Sequence, residues 1–119
     1  MTSGYWYLAT PYSKHPGGLD MAFRHACVAA AHCIRLGRRV YCPIAHSHPI
    51  AIHGVIDPYD HDIWLPQDQP FMDGADGIII VQMPGWEESH GISVEIEVFS
   101  RAGKPVEYMA WPLNYGDSP

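Results

Sequence analysis

Apolar and polar positions divide this chain into short apolar runs separated by amphipathic or irregular stretches. Residues 5–10, Tyr-Trp-Tyr-Leu-Ala-Thr, are apolar and aromatic and stop at Pro11, which predicts a short buried strand. The segment 11–18, with its prolines, Ser13 and two glycines, reads as a loop. Over 20–36 the spacing turns helical. Leu19, Ala22, Phe23, Ala26, Cys27, Ala29, Ala30, Cys33, Ile34 and Leu36 fall in one arc, Arg24, His25, His32 and Arg35 lie opposite, and Gly37 closes the helix. An arc so rich in alanine and cysteine lets the helix lie close on a sheet.

Residues 39–42 predict a second short strand ended by Pro43. The next stretch, 44–62, has no clean period and predicts a long functional loop with one helical turn. It carries His46, His48, His53 and His61 together with Asp57, Asp60 and Asp62. Residues 62–74 predict a short helix broken near Pro66 and Pro70. The uninterrupted run at 77–82, Gly-Ile-Ile-Ile-Val-Gln, suits a parallel strand buried on both faces. A loop at 83–88 follows, then a helix, a last strand at 105–109 and a polar tail at 111–119. This order predicts a single α/β domain, an open, mostly parallel sheet with helices on both faces. In such sheets ligands bind beyond the carboxyl ends of the strands. That edge should gather residues 10–13, the His46–His48 segment, 82–88 and the start of the helix after Ser89.

The helix predicted within 89–103 carries the strongest chemical signal. Ser89 is placed to cap its start and Gly103 to end it. With Ile92 set at 0°, Ile96 falls at roughly 40°, Phe99 at roughly 340° and Glu97 at roughly 140°, on the polar side. Glu95 falls at roughly 300°, inside the apolar arc. A carboxylate aimed at the core needs a reason, and one turn before it Gly91 opens a helix start whose N–H groups can hold an anion.

Composition narrows the partners. The chain has 119 residues, 47% apolar and 17% charged, with a formal charge of −6. That is one globular domain, and its acidity argues against a polymeric nucleic-acid partner, which would need a basic face. There is no apolar run of membrane-spanning length and no signal-peptide pattern, so no membrane association is expected. Three cysteines without a C-x-x-C spacing fit a reduced compartment, the cytoplasm by default.

Three segments also resemble a known family. Tyr7-Leu8-Ala9-Thr10-Pro11-Tyr12-Ser13 is similar to the "Y-L-A-G-P" opening of nucleoside 2-deoxyribosyltransferases and the related nucleoside 5′-monophosphate N-glycosidases. Asp68, followed by Asp76 and the 77–81 strand, resembles their "D-x(7)-D-hydrophobic" segment. Residues 89–95, Ser-His-Gly-Ile-Ser-Val-Glu, running on to Gly103-Lys104-Pro105-Val106, resemble "[S/D]-x-G-x-x-x-E … G-K-P-V". The resemblance implies a flavodoxin-like, or Rossmann-like, fold and cleavage of the N-glycosidic bond of a nucleoside or nucleoside monophosphate, by hydrolysis or base exchange, with no cofactor. It implies Glu95 as the nucleophile and Asp68 as the acid that contacts the sugar or protonates the leaving base. Tyr7 corresponds to a tyrosine that positions the nucleophile, and Ser89 to a serine of the monophosphate-cleaving branch.

The substrate-binding residues expected around these three are Thr10, Pro11, Tyr12, Ser13, His46, His48, Trp86, Ser89, His90 and Gly91, with Ser93 assisting near the helix start. Glu97 should be dispensable surface, Cys27 and Cys33 packing, and His25 and His32 ordinary surface. The small size and the family likeness imply a homodimer or larger homo-oligomer whose neighbour closes the cleft. Two other readings stand beside this one. The domain could bind a nucleotide without cleaving it. Alternatively, His46 and His48, which would point the same way if extended, could join Asp57, Asp60, His61 and Asp62 in a metal-dependent hydrolase.

Overall fold

A computed structural model describes residues 4–113. Within them the element order is β1 (Trp6–Ala9), α1 (Leu19–Arg35), β2 (Val40–Tyr41), α2 (Pro43–Gly54), α3 (His61–Gly74), β3 (Gly77–Val81), α4 (His90–Arg101) and β4 (Val106–Met109). Residues 114–119 of the expected polar tail lie outside the described range.

The strands form one sheet in the order β2-β1-β3-β4, and every pairing is parallel. Strands β1 and β3 lie in the centre. Their residues alternate between two cores, as the pleat requires. Tyr7, Ala9, Ile78 and Ile80 meet Met72 of α3 and Ile92 and Phe99 of α4 on one face. Leu8, Ile79 and Val81 meet Ala26, Ala29 and Cys33 of α1 on the other. Every residue of β3 is buried, so the β-branched run packs on both sides. Truncating one of its isoleucines to alanine would cost about 2–5 kcal/mol. Gly77 opens this strand because a Cβ there would lie 2.4 Å from the Trp6 ring of its register partner. The open parallel sheet with helices on both faces is thus present.

Three sequence expectations need correction. Residues 44–62 are not a long loop, because α2 occupies 43–54. Pro43 stands at its first turn, where the missing N–H costs nothing. The helix shows no period in sequence because its apolar residues point several ways: Ala51 is buried while Ile50 and Ile52 are exposed. Second, α3 runs unbroken through Pro66 and Pro70. Both prolines are exposed, and the carbonyls one turn earlier that lose their N–H partners can be hydrated instead. Third, the buried stripe of α1 is narrower than its apolar arc. Ala22, Ala26, Ala29 and Cys33 are buried, whereas Cys27 is exposed and Ile34 and Leu36 are 62% and 66% exposed.

The strand order reverses between β1 and β3: the chain moves outward to β2 on one side, then to β4 on the other. A crevice opens at such a switch point, beyond the carboxyl ends of the two strands. The loop after β1 is held there by close packing. Gly85, at φ +94°, comes so near the Lys14 carbonyl that a Cβ would lie 2.2 Å from its oxygen. Only glycine meets both demands.

Candidate active site

A cleft lies at this switch point. The loop after β1 supplies Thr10, Tyr12 and Ser13, the first half of α2 Pro43, Ile44 and Ser47, and the α4 start Ser89, Gly91, Ile92 and Glu95. The outer wall is Pro58, Tyr59, His61, Trp64, Leu65 and Asp68, from α3 and the turn before it.

Glu95 sits one turn into α4 on its buried face, only 9% exposed. Its Oε2 accepts a 2.7 Å hydrogen bond from the Tyr7 hydroxyl, and Tyr7 is fully buried on β1. Burial pushes the Glu95 carboxyl up to about 8; the Asp68 charge adds to the rise, and the Tyr7 hydrogen bond opposes it. Tyr7 is itself driven well above the ordinary phenol range, first by burial and then by the charge of Glu95. It therefore stays protonated and remains the donor. Across the cleft, burial raises Asp68 to about 6. Two acids facing one cavity, both with raised pKa values, are what acid–base and nucleophilic chemistry near neutral pH calls for.

The helix start beside them is anion-receptive. Ser89, itself 8% exposed, caps α4 by accepting the Ile92 N–H at 3.2 Å, leaving its own hydroxyl hydrogen free to donate. The His90 and Gly91 N–H groups belong to the first turn, where no intrahelical acceptor exists. A Cβ on Gly91 would meet only Ser89 Oγ, at 3.9 Å. Packing therefore does not require glycine there, and Gly91 lines the cleft. Thr10 adds a second opening for a ligand. It is 5% exposed, and its Oγ1 has no hydrogen-bond partner among the described residues. The Cys42 sulfur can accept from it, but sulfur is too weak an acceptor to satisfy a buried hydroxyl.

Of the expected site residues, the cleft brings together Glu95, Asp68, Thr10, Tyr12, Ser13, Ser89 and Gly91. Tyr7 stands behind the wall and acts on it through Glu95. The others do not line it. Pro11 is packed in the interior. His46 and His48 diverge, because positions i and i+2 on a helix are about 200° apart: His46 turns to the Tyr41 hydroxyl at 3.3 Å and His48 to the Tyr12 hydroxyl at 2.6 Å. The extended geometry that a His46/His48 metal centre would need is thereby lost. Among the described residues no group of three or more His, Cys, Asp or Glu side chains is placed to hold a metal ion.

Trp86 packs edge-on to Tyr108 instead, with ring centroids 5.8 Å apart. Exposed His90 sits outside the wall, edge-on to His61 at 5.5 Å. Ser93 turns its hydroxyl back to the His90 carbonyl at 2.7 Å. His25 is more than surface, since its Nδ1 lies 2.9 Å from His15 Nε2. Ser47, Tyr59, Trp64 and Leu65 were not expected in the cleft. Their signal, an aromatic and apolar cluster among the histidines, was hidden by reading that region as irregular.

The fold and this cleft define an α/β protein with a carboxylate-bearing pocket at the sheet's switch point. Residues 4–111 match the family model described as "Domain of unknown function (DUF1937)", and the chain belongs to that family. No curated protein matches it. Among the described residues no helix is long and apolar enough to cross a membrane.

Proposed function

We propose that the protein cleaves the N-glycosidic bond of a nucleoside or nucleoside 5′-monophosphate, by hydrolysis or base exchange, with Glu95 as nucleophile. The observation that carries this reading is the buried Glu95 carboxyl, gripped through Oε2 by Tyr7 and facing Asp68 across the cleft. With Oε2 held, Oε1 is left for the sugar. As the bond from the anomeric carbon to the base breaks, Oε1 bonds to that carbon and Asp68 gives its proton to the departing nitrogen. Water or a second base then attacks the glycosyl ester and releases Glu95. Near neutral pH the empty cleft holds its proton on Glu95, at about 8, and leaves Asp68, at about 6, mostly ionised, so the proton passes to Asp68 before the ionised Oε1 attacks. The Ser89 hydroxyl and the α4 N-terminus suit the 5′-phosphate. The chemistry draws on neither a metal nor an organic cofactor.

A homo-oligomer belongs to the same proposal. Ile52, Val55 and Ile63 are exposed and flank, in sequence, the cleft-lining Pro58–His61 turn, so a second copy seated there would cover them. A monomeric mass by light scattering would overturn that part.

The test is incubation with a panel of nucleosides, 2′-deoxynucleosides and their 5′-monophosphates, with chromatographic detection of free base. Base release by the wild type is expected, and Glu95→Ala should lower it at least about a thousandfold. A folded protein that binds these compounds and leaves every glycosidic bond intact would favour the non-catalytic reading instead.

A further inference from the structure

Behind the cleft wall lies a pair of side chains that the proposed reaction does not use. Tyr12 lines the cleft, and its hydroxyl is 2.6 Å from Nδ1 of His48. His48 is 6% exposed, stacked on Phe23 with ring centroids 4.7 Å apart. Its other nitrogen, Nε2, faces the exposed Asp20 carboxylate at 4.0 Å, too long for a hydrogen bond but close enough to favour a proton on that side. The charged and titratable groups around this ring are Asp20 on α1, Arg24 bound to that same carboxylate at 3.0 Å, Tyr12 itself and, beyond it, Tyr59. The acid is the nearest charge, and it selects the Nε2–H tautomer. Nδ1 is then an acceptor, and the Tyr12 O–H must donate to it.

This sets what the cleft sees. With its hydrogen committed to His48, the Tyr12 oxygen can offer a ligand only lone pairs. Resting on the nucleotide reading above, we propose that His48 is a positioning residue that sets the hydrogen-bond polarity of Tyr12. Tyr12 therefore selects base edges rich in donors. It thereby becomes a specificity determinant whose preference His48 fixes.

The experiment has two arms. In the ligand-free wild-type protein, imidazole nitrogen NMR should show His48 Nδ1 unprotonated and Nε2 protonated at pH 8, with the Nδ1 signal displaced in Tyr12→Phe. A proton on Nδ1 at pH 8 would overturn the proposal, whatever the protein binds. In the second arm, adenosine and inosine 5′-monophosphates, whose base edges carry inverted donor and acceptor patterns, are titrated by calorimetry at pH 8. The Glu95→Gln background keeps them intact. The phosphate is common to both, so the ratio of their Kd values isolates the base edge. That ratio should move roughly two- to tenfold on His48→Phe, which keeps a ring in place and frees the Tyr12 hydrogen, the worth of one hydrogen bond, and Tyr12→Phe should abolish the movement. A constant ratio, or one whose movement survives Tyr12→Phe, sinks the idea. If neither nucleotide binds, the substrate reading fails and the NMR arm alone decides the hydrogen-bond polarity.

Discussion

The two ends of the central strands treat their polar groups in opposite ways. At the amino end, Arg38 pairs with Glu107 at 2.9 Å and lies over the Trp6 ring at 4.9 Å, while Asp76 is exposed. Each charge there is paired or hydrated, and little energy is at stake. At the carboxyl end Glu95, Thr10, Ser89 and, in part, Asp68 are drawn out of water. Glu95 has one hydrogen-bond donor and Thr10 Oγ1 has none. Burial without full compensation costs stability. A fold tolerates that where the groups gain partners only when something is bound. The contrast marks the site more plainly than any single residue does.

The largest effect that should break the contrast is on stability against pH. Glu95 has a folded pKa raised to about 8 from the ordinary value of 4.5. The folded state therefore binds the proton more tightly than the unfolded one, and its contribution is fully present below about 4.5. It is lost progressively as pH rises to about 8. Glu95→Gln should match the wild type at pH 4.5 and exceed it by a few kcal/mol at pH 9 in denaturant unfolding. Equal stabilities at both pH values would show that Glu95 ionises without penalty. Glu97, two residues on, is exposed and paired with Arg101, so Glu97→Gln should change stability by less than about 0.5 kcal/mol.

Next in size is the Tyr7 hydrogen bond, which favours the ionised Glu95. Tyr7→Phe should move the alkaline midpoint of that stability curve, and the ionisation limb of any base-release profile, upward by about one unit. An unmoved midpoint would mean the bond is equally strong to the acid and to the anion. Smaller again is Thr10→Val, which keeps the shape and removes the unpartnered hydroxyl. It should raise the stability of the empty protein by about 1 kcal/mol and weaken nucleotide binding several-fold. A loss of stability instead would show that the Cys42 contact is worth more than a thiol usually offers. The smallest change belongs to the amino end, where Arg38→Ala should cost about 1 kcal/mol or less by thermal unfolding.

The sheet was legible because its strands are uniform. An unbroken β-branched run such as 77–81 has few alternatives to a doubly covered parallel strand. Helix α4 was legible because it has one dry face, and the misfit of Glu95 within that face survives as its burial beside Tyr7. What lay hidden is the outer wall. Helix α2 leaves Ile50 and Ile52 exposed while burying His48, and it begins with proline, so neither period nor propensity betrays it. In α3 the prolines look like breaks because a sequence cannot say that the orphaned carbonyls meet water. Proximity along the chain also misled: Trp86 precedes Ser89 by three residues, yet its ring goes to Tyr108. The direction of a side chain leaving a loop depends on what the rest of the fold leaves open.

The Tyr7–Glu95 hydrogen bond joins residues 88 apart in the chain, the first strand to the last helix. A chain still emerging from the ribosome has made Tyr7 long before Glu95 exists, and no partly folded intermediate lacking α4 on the sheet can assemble the pair. Until then Glu95 is an ordinary solvated acid with an ordinary pKa. The raised pKa is thus acquired only when α4 docks on β1, and a chain in which it has not docked carries an ordinary carboxylate. A titration signal from that side chain would report whether the two ends of the chain have met.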